Sequence, residues 1–276
     1  MIISVASGKG GTGKTTISTS LALSLNDAQL LDCDVEEPNA SIFIKPAIEQ
    51  RSPSFIPIPR VDLTKCNYCG RCSKVCAFHA IAVVGEKIMI FPKLCHGCGA
   101  CSYLCPHNAM SEIGKEIGYI ETGKKNTLTF VHGMLKIGEA MSPPLIRAVK
   151  KHIDRSRTVI IDAPPGTSCP VITAIGESNY CLLVTEPTPF GLHDLILAVK
   201  MLRELKIPYG VIINRADIGN TEVSEYCRRE GIPVLLSIPF KKDIAIAYSK
   251  GLPLIEALPE YDEKMKKLFT YIRQGK

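Results

Sequence analysis

Two kinds of chemistry are written into this chain, one inside the other. The loop Gly8-Lys9-Gly10-Gly11-Thr12-Gly13-Lys14-Thr15-Thr16 carries residues that hold phosphate. Gly8-x4-Gly13-Lys14-Thr15 fits the phosphate-loop consensus, follows a strand-like run and opens a helix-like one. Its backbone N–H groups and the helix N-terminus suit phosphate oxygens. Lys14 would neutralise β- and γ-phosphate charge, and the Thr15 hydroxyl would ligate Mg²⁺. Two further segments belong with it. Leu30-Leu31-Asp32-Cys33-Asp34 sets acidic groups at a strand end, and Ile160-Ile161-Asp162-Ala163-Pro164-Pro165-Gly166 sets Asp162 at another, suited to Mg²⁺ through water. The Gly166 N–H is expected to be free for a γ-phosphate. Any one of these aspartates alone reads as a cap or turn residue. The three motifs in this order read as a nucleotide site.

The second chemistry is thiolate. Cys66-x2-Cys69-x2-Cys72-x3-Cys76 is followed by Cys95-x2-Cys98-x2-Cys101-x3-Cys105-Pro106. This is the bacterial ferredoxin spacing, in which the fourth cysteine of each run ligates the other cluster. By that rule Cys66, Cys69, Cys72 and Cys105 hold one 4Fe–4S cluster. Cys95, Cys98, Cys101 and Cys76 hold the second. A zinc ribbon would use two C-x2-C pairs rather than tight runs of four. Ala77 stands where a proline is expected. Cys33, Cys181 and Cys227 read as small core residues. Cys169 reads as a buried or interface thiol, with a bridging ligand in a dimer as the alternative.

The elements that must position these groups are legible as short apolar runs ending in acidic or turn residues. They are Ile2–Ala6, Gln29–Leu31, Thr158–Ile161, Cys181–Val184, Tyr209–Ile213 and Val234–Ile238. Helical stretches alternate with them at Thr15–Leu25, Pro144–Ile153, Leu192–Leu205 and Glu222–Glu230. That alternation implies an α/β fold, a parallel sheet with helices on both faces and ligands beyond the carboxyl ends of the strands. The alternation breaks where the cysteine runs repeat, so a small two-cluster insert of residues 60–112 is expected between nucleotide-domain segments 1–59 and 113–276. Arg51 to Pro59 reads as a proline-rich linker. Glu116–Glu121 and Thr127–His132 read as strands leading back.

The chain has 276 residues, 46% of them hydrophobic and 22% charged, which allows an ordinary core. No apolar run reaches the ~18 residues of a membrane span. The first strand runs straight into the phosphate loop, leaving no room for a signal peptide, so a cytoplasmic protein is expected. Twelve cysteines then point to metal rather than disulfides. The formal net charge of +6 is offset by clusters of about −2 each, and the basic residues are scattered, so no nucleic-acid partner is expected.

Lys9 before Gly10-Gly11 makes the loop a deviant one. In this it resembles the MinD/ParA branch of phosphate-loop ATPases, which includes the nitrogenase iron protein and the Mrp-type cluster carriers. The resemblance extends to Asp34 and Asn39, Asp162 and Pro164-Pro165-Gly166, Asn214-Arg215, Ile238-Pro239 and Gly251-Leu252-Pro253. With the cysteine runs, the chain looks like MinD-superfamily ATPases that carry an inserted ferredoxin domain. The resemblance implies ATP, Mg²⁺ and an ATP-dependent face-to-face homodimer in which Lys9 reaches the partner's phosphates. It implies that Asp34 positions the attacking water and that Asn214 and Pro239 flank the adenine. Asn214-Arg215-Ala216-Asp217 also resembles a guanine-reading pattern, which keeps GTP as an alternative.

Three functions compete. The first is an ATPase gating electron transfer to an unidentified redox partner. The second is an iron–sulfur scaffold or carrier, although such relatives hold a labile cluster on a lone C-x-x-C, and no such pair follows Cys105. The third is a membrane-associated regulator like MinD, using the helical face Met265, Leu268, Phe269 and Ile272. More often such a helix packs on the sheet, so membrane contact is not expected.

Overall fold

The computed structural model describes residues 1–275. The central strands are almost wholly buried, as strands covered on both faces require, and they are apolar apart from a few buried polar residues such as Ser4, Gln29, Asp32 and Asp162. The strands of the main sheet are β1 (Ile2–Ala6), β2 (Ala28–Asp32), β3 (Ala47–Val61), β6 (Met110–Lys125), β7 (Leu128–Leu135), β8 (Thr158–Asp162), β9 (Tyr180–Thr185), β10 (Tyr209–Asn214) and β11 (Val234–Ile238). Between β3 and β6 lie β4 (Ile81–Val84) and β5 (Lys87–Ile90), which pair only with each other. The nine-stranded sheet has the order β11-β10-β9-β1-β8-β2-β7-β6-β3. Pairing is parallel from β11 through β7 and antiparallel for β7–β6 and β6–β3.

Eleven helices complete the described chain: α1 (Lys14–Ser24), α2 (Ala40–Ile44), α3 (Arg71–Val75), α4 (Ala100–Tyr103), α5 (Pro143–Lys150), α6 (Cys169–Ile175), α7 (Pro189–Leu205), α8 (Glu222–Arg229), α9 (Lys242–Ser249), α10 (Leu254–Ala257) and α11 (Glu260–Arg273). Residues alternate across each strand, so the sheet has two cores. One packs Leu31, Ile161 and Val131 under Leu145 of α5, Val171 of α6, Leu195 of α7 and Val223 of α8. The other packs Leu30, Ile160 and Phe130 under Ile17 and Leu21 of α1, Ile44 of α2 and Leu254 of α10. Tyr261, Met265, Leu268 and Ile272 of α11 are buried in this second core, so that face is not free to lie on a lipid surface. No helix among the described residues is long and apolar enough to cross a membrane.

The expected proline linker is a correction. Residues 51–59 lie inside β3, a fifteen-residue strand. It is the sheet's edge and pairs with β6 alone, through Pro53, Pro57 and Pro59. These prolines recur at odd positions, and an edge strand has one side whose N–H groups the ladder does not use. The strands expected at 116–121 and 127–132 are parts of longer ones. β6 pairs with β7 from Gly118 to Lys125, whereas its first half, from Met110, pairs with β3 only. That half and the end of β3 form a two-stranded ribbon. The ribbon closes where the Asp62 N–H donates to the Ala109 carbonyl at 2.7 Å. Residues 63–108 fold beyond it as α3, β4, β5 and α4.

A row of ionisable residues crosses the sheet in register. Asp162 pairs with Asp32, Asp32 with His132, His132 with Glu121, and Glu121 with Arg51. Register partners in adjacent strands share a face. His132 Nε2 is 2.8 Å from Glu121 Oε2, and Arg51 Nε is 3.7 Å from Glu121 Oε1.

Candidate functional site

The loop after β1 leaves the sheet between β8 and β9, where the strand order turns, as ligand crevices in open α/β sheets do. Gly11 and Gly13 hold φ of +79° and +96°, which favours glycine. A Cβ on Gly13 would also strike the Asn214 amide at 2.5 Å. Gly8 sits against the Asp194 backbone of α7, so the loop and that helix are closely packed. The loop opens a cleft of ≈ 420 Å³ lined by Gly10, Gly11, Gly13, Lys14, Thr15, Thr16, Asp34, Asn39, Pro165, Asn214, Arg215, Pro239, Phe240 and Tyr248. Lys14 is buried, at 7% exposure.

Asp162 is 1% exposed, and neither of its carboxylate oxygens has a hydrogen-bond partner among the described residues. Burial pushes it up to about 6, with the Lys14 charge pulling the other way, helped by the nearby Thr15 and Ser18 hydroxyls, which stop short of hydrogen-bond geometry. An orphaned buried carboxylate beside Thr15 fits a divalent cation. Asp34 is also pushed up to about 6, by burial first, with Lys14 opposing and Asp162 adding to the rise. Asp32 is wholly buried and raised well above the usual carboxylate range by burial and by Asp162. It accepts from the Asp34 N–H at 3.1 Å and the Ala40 N–H at 3.0 Å, and so ties the segment holding Asp34 to β2.

Not every expected contact is made. The Gly166 N–H is not free: it donates to the Ser7 carbonyl at 2.9 Å, just past the end of β1. Pro165, not Gly166, lines the cleft. The Asn214 amide donates to the Thr12 carbonyl at 2.9 Å, bracing the phosphate loop. The Asp217 Oδ1 accepts the Phe240 N–H at 2.6 Å, bracing the loop after β11, and Asp217 does not line the cleft. Lys9 lies outside the cleft lining. Its Nζ is 3.4 Å from Glu186 Oε2, and Arg215 Nη1 is 2.7 Å from Glu186 Oε1. Glu186 directly follows β9. Nothing local in the sequence ties it to a lysine so distant in the chain.

The cysteines gather around two pockets beyond the ribbon. One is lined by Cys66, Cys69, Cys72 and Cys105, the other by Cys76, Cys95, Cys98 and Cys101. Among the described residues, no three His, Cys, Asp or Glu side chains converge closely enough to hold a single metal ion. α3 and α4 begin at Gly70 and Gly99, both at φ of +74°. The two halves repeat in detail: the Ala80 N–H donates to Cys76 Sγ at 3.2 Å and the Ala109 N–H to Cys105 Sγ at 3.3 Å. Burial raises Cys105, but N–H donors from Ala109 and its neighbours outweigh it and hold the thiol below its ordinary value. Phe78 of one half stacks on His96 of the other at 3.6 Å. Cys169 is exposed at the start of α6, while Cys33, Cys181 and Cys227 are buried.

A parallel sheet whose first strand feeds a glycine-rich loop and helix, with acidic residues at two neighbouring strand ends, defines a phosphate-loop nucleotide-binding protein. The chain belongs to the CobQ/CobB/MinD/ParA nucleotide-binding domain family, whose model matches residues 3–254. It is 31% identical to an uncharacterized protein of Methanocaldococcus jannaschii over 99% of this chain and 97% of that one. It is 27% identical to a protein of Aquifex aeolicus named iron-sulfur cluster carrier protein, covering 98% of this chain and 65% of the relative. Among solved structures it is similar in fold to the septum site-determining protein MinD of Pyrococcus horikoshii, complexed with Mg-ADP. That match has a TM-score of 0.56 and 19% identity, and covers 97% of this chain and 93% of that one.

Proposed function

We propose that the chain is an ATPase in which nucleotide-dependent pairing of two copies governs electron transfer through two 4Fe–4S clusters, with residues 60–112 as the cluster module. One observation carries the reading. Each thiol pocket is lined by three cysteines of one run and the last cysteine of the other, on a chain that also has a nucleotide cleft. That crossed set is what two adjacent cubanes require. The chemistry of the donors fits: four thiols around each pocket, and backbone N–H groups aimed at sulfur.

When bound, the clusters supply reversible one-electron transfer and Mg²⁺ neutralises β- and γ-phosphate charge. Lys14, buried at the loop, meets the same phosphates from the helix N-terminus. Thr15 and Asp162 would hold Mg²⁺, Thr15 from the cleft lining and Asp162 as the buried carboxylate without a hydrogen-bond partner. Asp34, raised to about 6 by burial, sits at the cleft and can orient a water and accept its proton near neutral pH. Asn214 and Pro239 line the base end. Adenine is favoured over guanine because Asp217, the residue a guanine-reading pattern would use, does not line the cleft. Lys9 serves the partner copy, and an unidentified redox protein exchanges the electrons.

A second reading, cluster delivery, is favoured by the name of the Aquifex aeolicus relative. The two separate on one preparation. Anaerobic purification should yield about eight iron atoms and eight acid-labile sulfides per chain. Stoichiometric zinc without sulfide would overturn the cluster assignment. Given the clusters, ATP-dependent electron transfer to a generic acceptor supports the first reading. Loss of iron to an apo-acceptor instead supports the second.

A further inference from the structure

We infer that Glu186 is a positioning residue that parks Lys9 in the free chain and yields it when a second copy presents phosphate oxygens. The inference rests on the proposed nucleotide-dependent pairing and names the contact within one chain that such pairing must break.

The geometry is specific. Gly10 and Gly11 line the cleft, but Lys9 beside them does not. Its ammonium turns to Glu186, 3.4 Å away, and remains 32% exposed. The Glu186 side chain is only 9% exposed. Its main chain is fixed: its carbonyl accepts the Thr188 N–H at 2.8 Å, and Gly191 packs against that carbonyl. The helix that follows, α7, also packs on Gly8. Lysine and carboxylate are thus presented by two segments braced on each other.

Arg215 makes the contact releasable. A nearly buried carboxylate that loses its only cation is strongly destabilising. Glu186 has two: Arg215 Nη1 lies 2.7 Å from the other oxygen, an ion pair by distance whose angles do not make a hydrogen bond, so it balances the charge without saturating that oxygen. Lys9 can therefore leave without stranding the charge. Arg215 also lines the nucleotide cleft, so the carboxylate sits between a cation facing the chain's own nucleotide and one facing outward. The outward one is the loop cation free to answer an anion brought by another molecule.

The test reads Lys9 itself. The nucleotide-free chain is treated with an amine-acylating reagent, and modification of Lys9 is followed by peptide mass spectrometry against exposed Lys267. In Glu186→Gln, Lys9 should react about two- to fivefold faster relative to Lys267, the range that loss of a partly exposed pair allows. In the unaltered chain, added salt should raise the same ratio, which needs no variant. With Mg²⁺ and a non-hydrolysable ATP analogue, Glu186→Gln should also pair at lower protein concentration by a similar factor. A merely damaging substitution would weaken pairing. An unchanged Lys9 ratio in both the variant and the salt series overturns the inference. Faster Lys9 labelling with no pairing in either protein upholds the parked contact and instead removes the dimer from the proposed function.

Discussion

Burial of Asp162 and Asp34 makes both carboxylates costly to ionise before nucleotide and cation bind. Both are raised from the ordinary 3.8 to about 6, first by burial. A raised carboxylate holds more protons in the folded chain than in the unfolded one between those two values. The stability from this proton uptake is complete below the unfolded value and is lost as pH rises through about 6. The nucleotide-free chain should therefore lose stability between about pH 4 and about pH 7 through these groups, by about 1–3 kcal/mol each. Asp162→Asn should raise the melting temperature of the empty chain at about pH 7.5 more than at about pH 5, and should abolish the further rise on adding Mg²⁺ and nucleotide. Calorimetry at the two pH values checks both; an equal effect at each would remove the raised carboxylate. Lys14→Ala should weaken nucleotide binding by roughly 1.5–3 kcal/mol, the range for hydrogen bonds to charged groups. Lys9→Ala should leave binding by the single chain within about twofold and remove pairing, because its ammonium lies outside its own cleft. Equilibrium dialysis and sedimentation separate the two losses.

At the scale of elements, the ribbon formed by β3 and β6 decides how the thiol pockets hang on the sheet. β6 leaves β7 at Gly118, whose added Cβ would meet the Met134 backbone and the Leu145 side chain. Gly118→Ala should cost about 1–3 kcal/mol by overpacking that junction, a fall of roughly 2–10 °C in melting temperature, with iron content retained. Loss of iron without loss of stability would show that the junction matters to the pockets rather than to the sheet. The parallel strands were legible because their signal is local. Ile2–Ala6 and Val234–Ile238 match in both ends, and Tyr209–Asn214 exceeds its apolar run only by the residue that caps it. β3 was not legible, because proline marks a break wherever a strand needs all its N–H groups, and only the tertiary arrangement reveals that β3 is an edge. Cys76 lines a pocket with Cys95, Cys98 and Cys101, the set that the crossing spacing rule expects, although spacing alone says nothing of how the pocket is shaped. The Glu186 contact was not legible, because nothing local in the chain signals an ion pair between remote loops.

Across the whole molecule, the row from Asp162 through Asp32, His132 and Glu121 to Arg51 joins the nucleotide cleft to the two strands that carry the ribbon. His132 is 4% exposed, its Nδ1 has no partner among the described residues, and Glu121 is shared between it and Arg51, which also lies 3.5 Å over the Tyr119 ring. Charge arriving at Asp162 acts on Asp32, the next carboxylate of the row and one that also anchors the Asp34 segment. The field then continues along side chains on one face of adjacent strands, where low dielectric preserves it. If nucleotide state biases the row, cluster reduction must bias nucleotide affinity by the same free energy, since linkage is reciprocal. A coupling in the usual range of about 1–3 kcal/mol corresponds to a shift of roughly 40–130 mV in a one-electron potential between ADP and a non-hydrolysable ATP analogue. Glu121→Gln keeps the shape and removes the charge that links His132 to Arg51. It should at least halve that shift, with iron content and ADP affinity unchanged within about twofold. Anaerobic redox titrations of both proteins under both nucleotides are the measurement. A full shift in Glu121→Gln would mean that the ribbon backbone, not the charged row, carries the coupling. No shift in the unaltered chain would mean that the nucleotide cleft and the thiol pockets share a sheet without exchanging free energy.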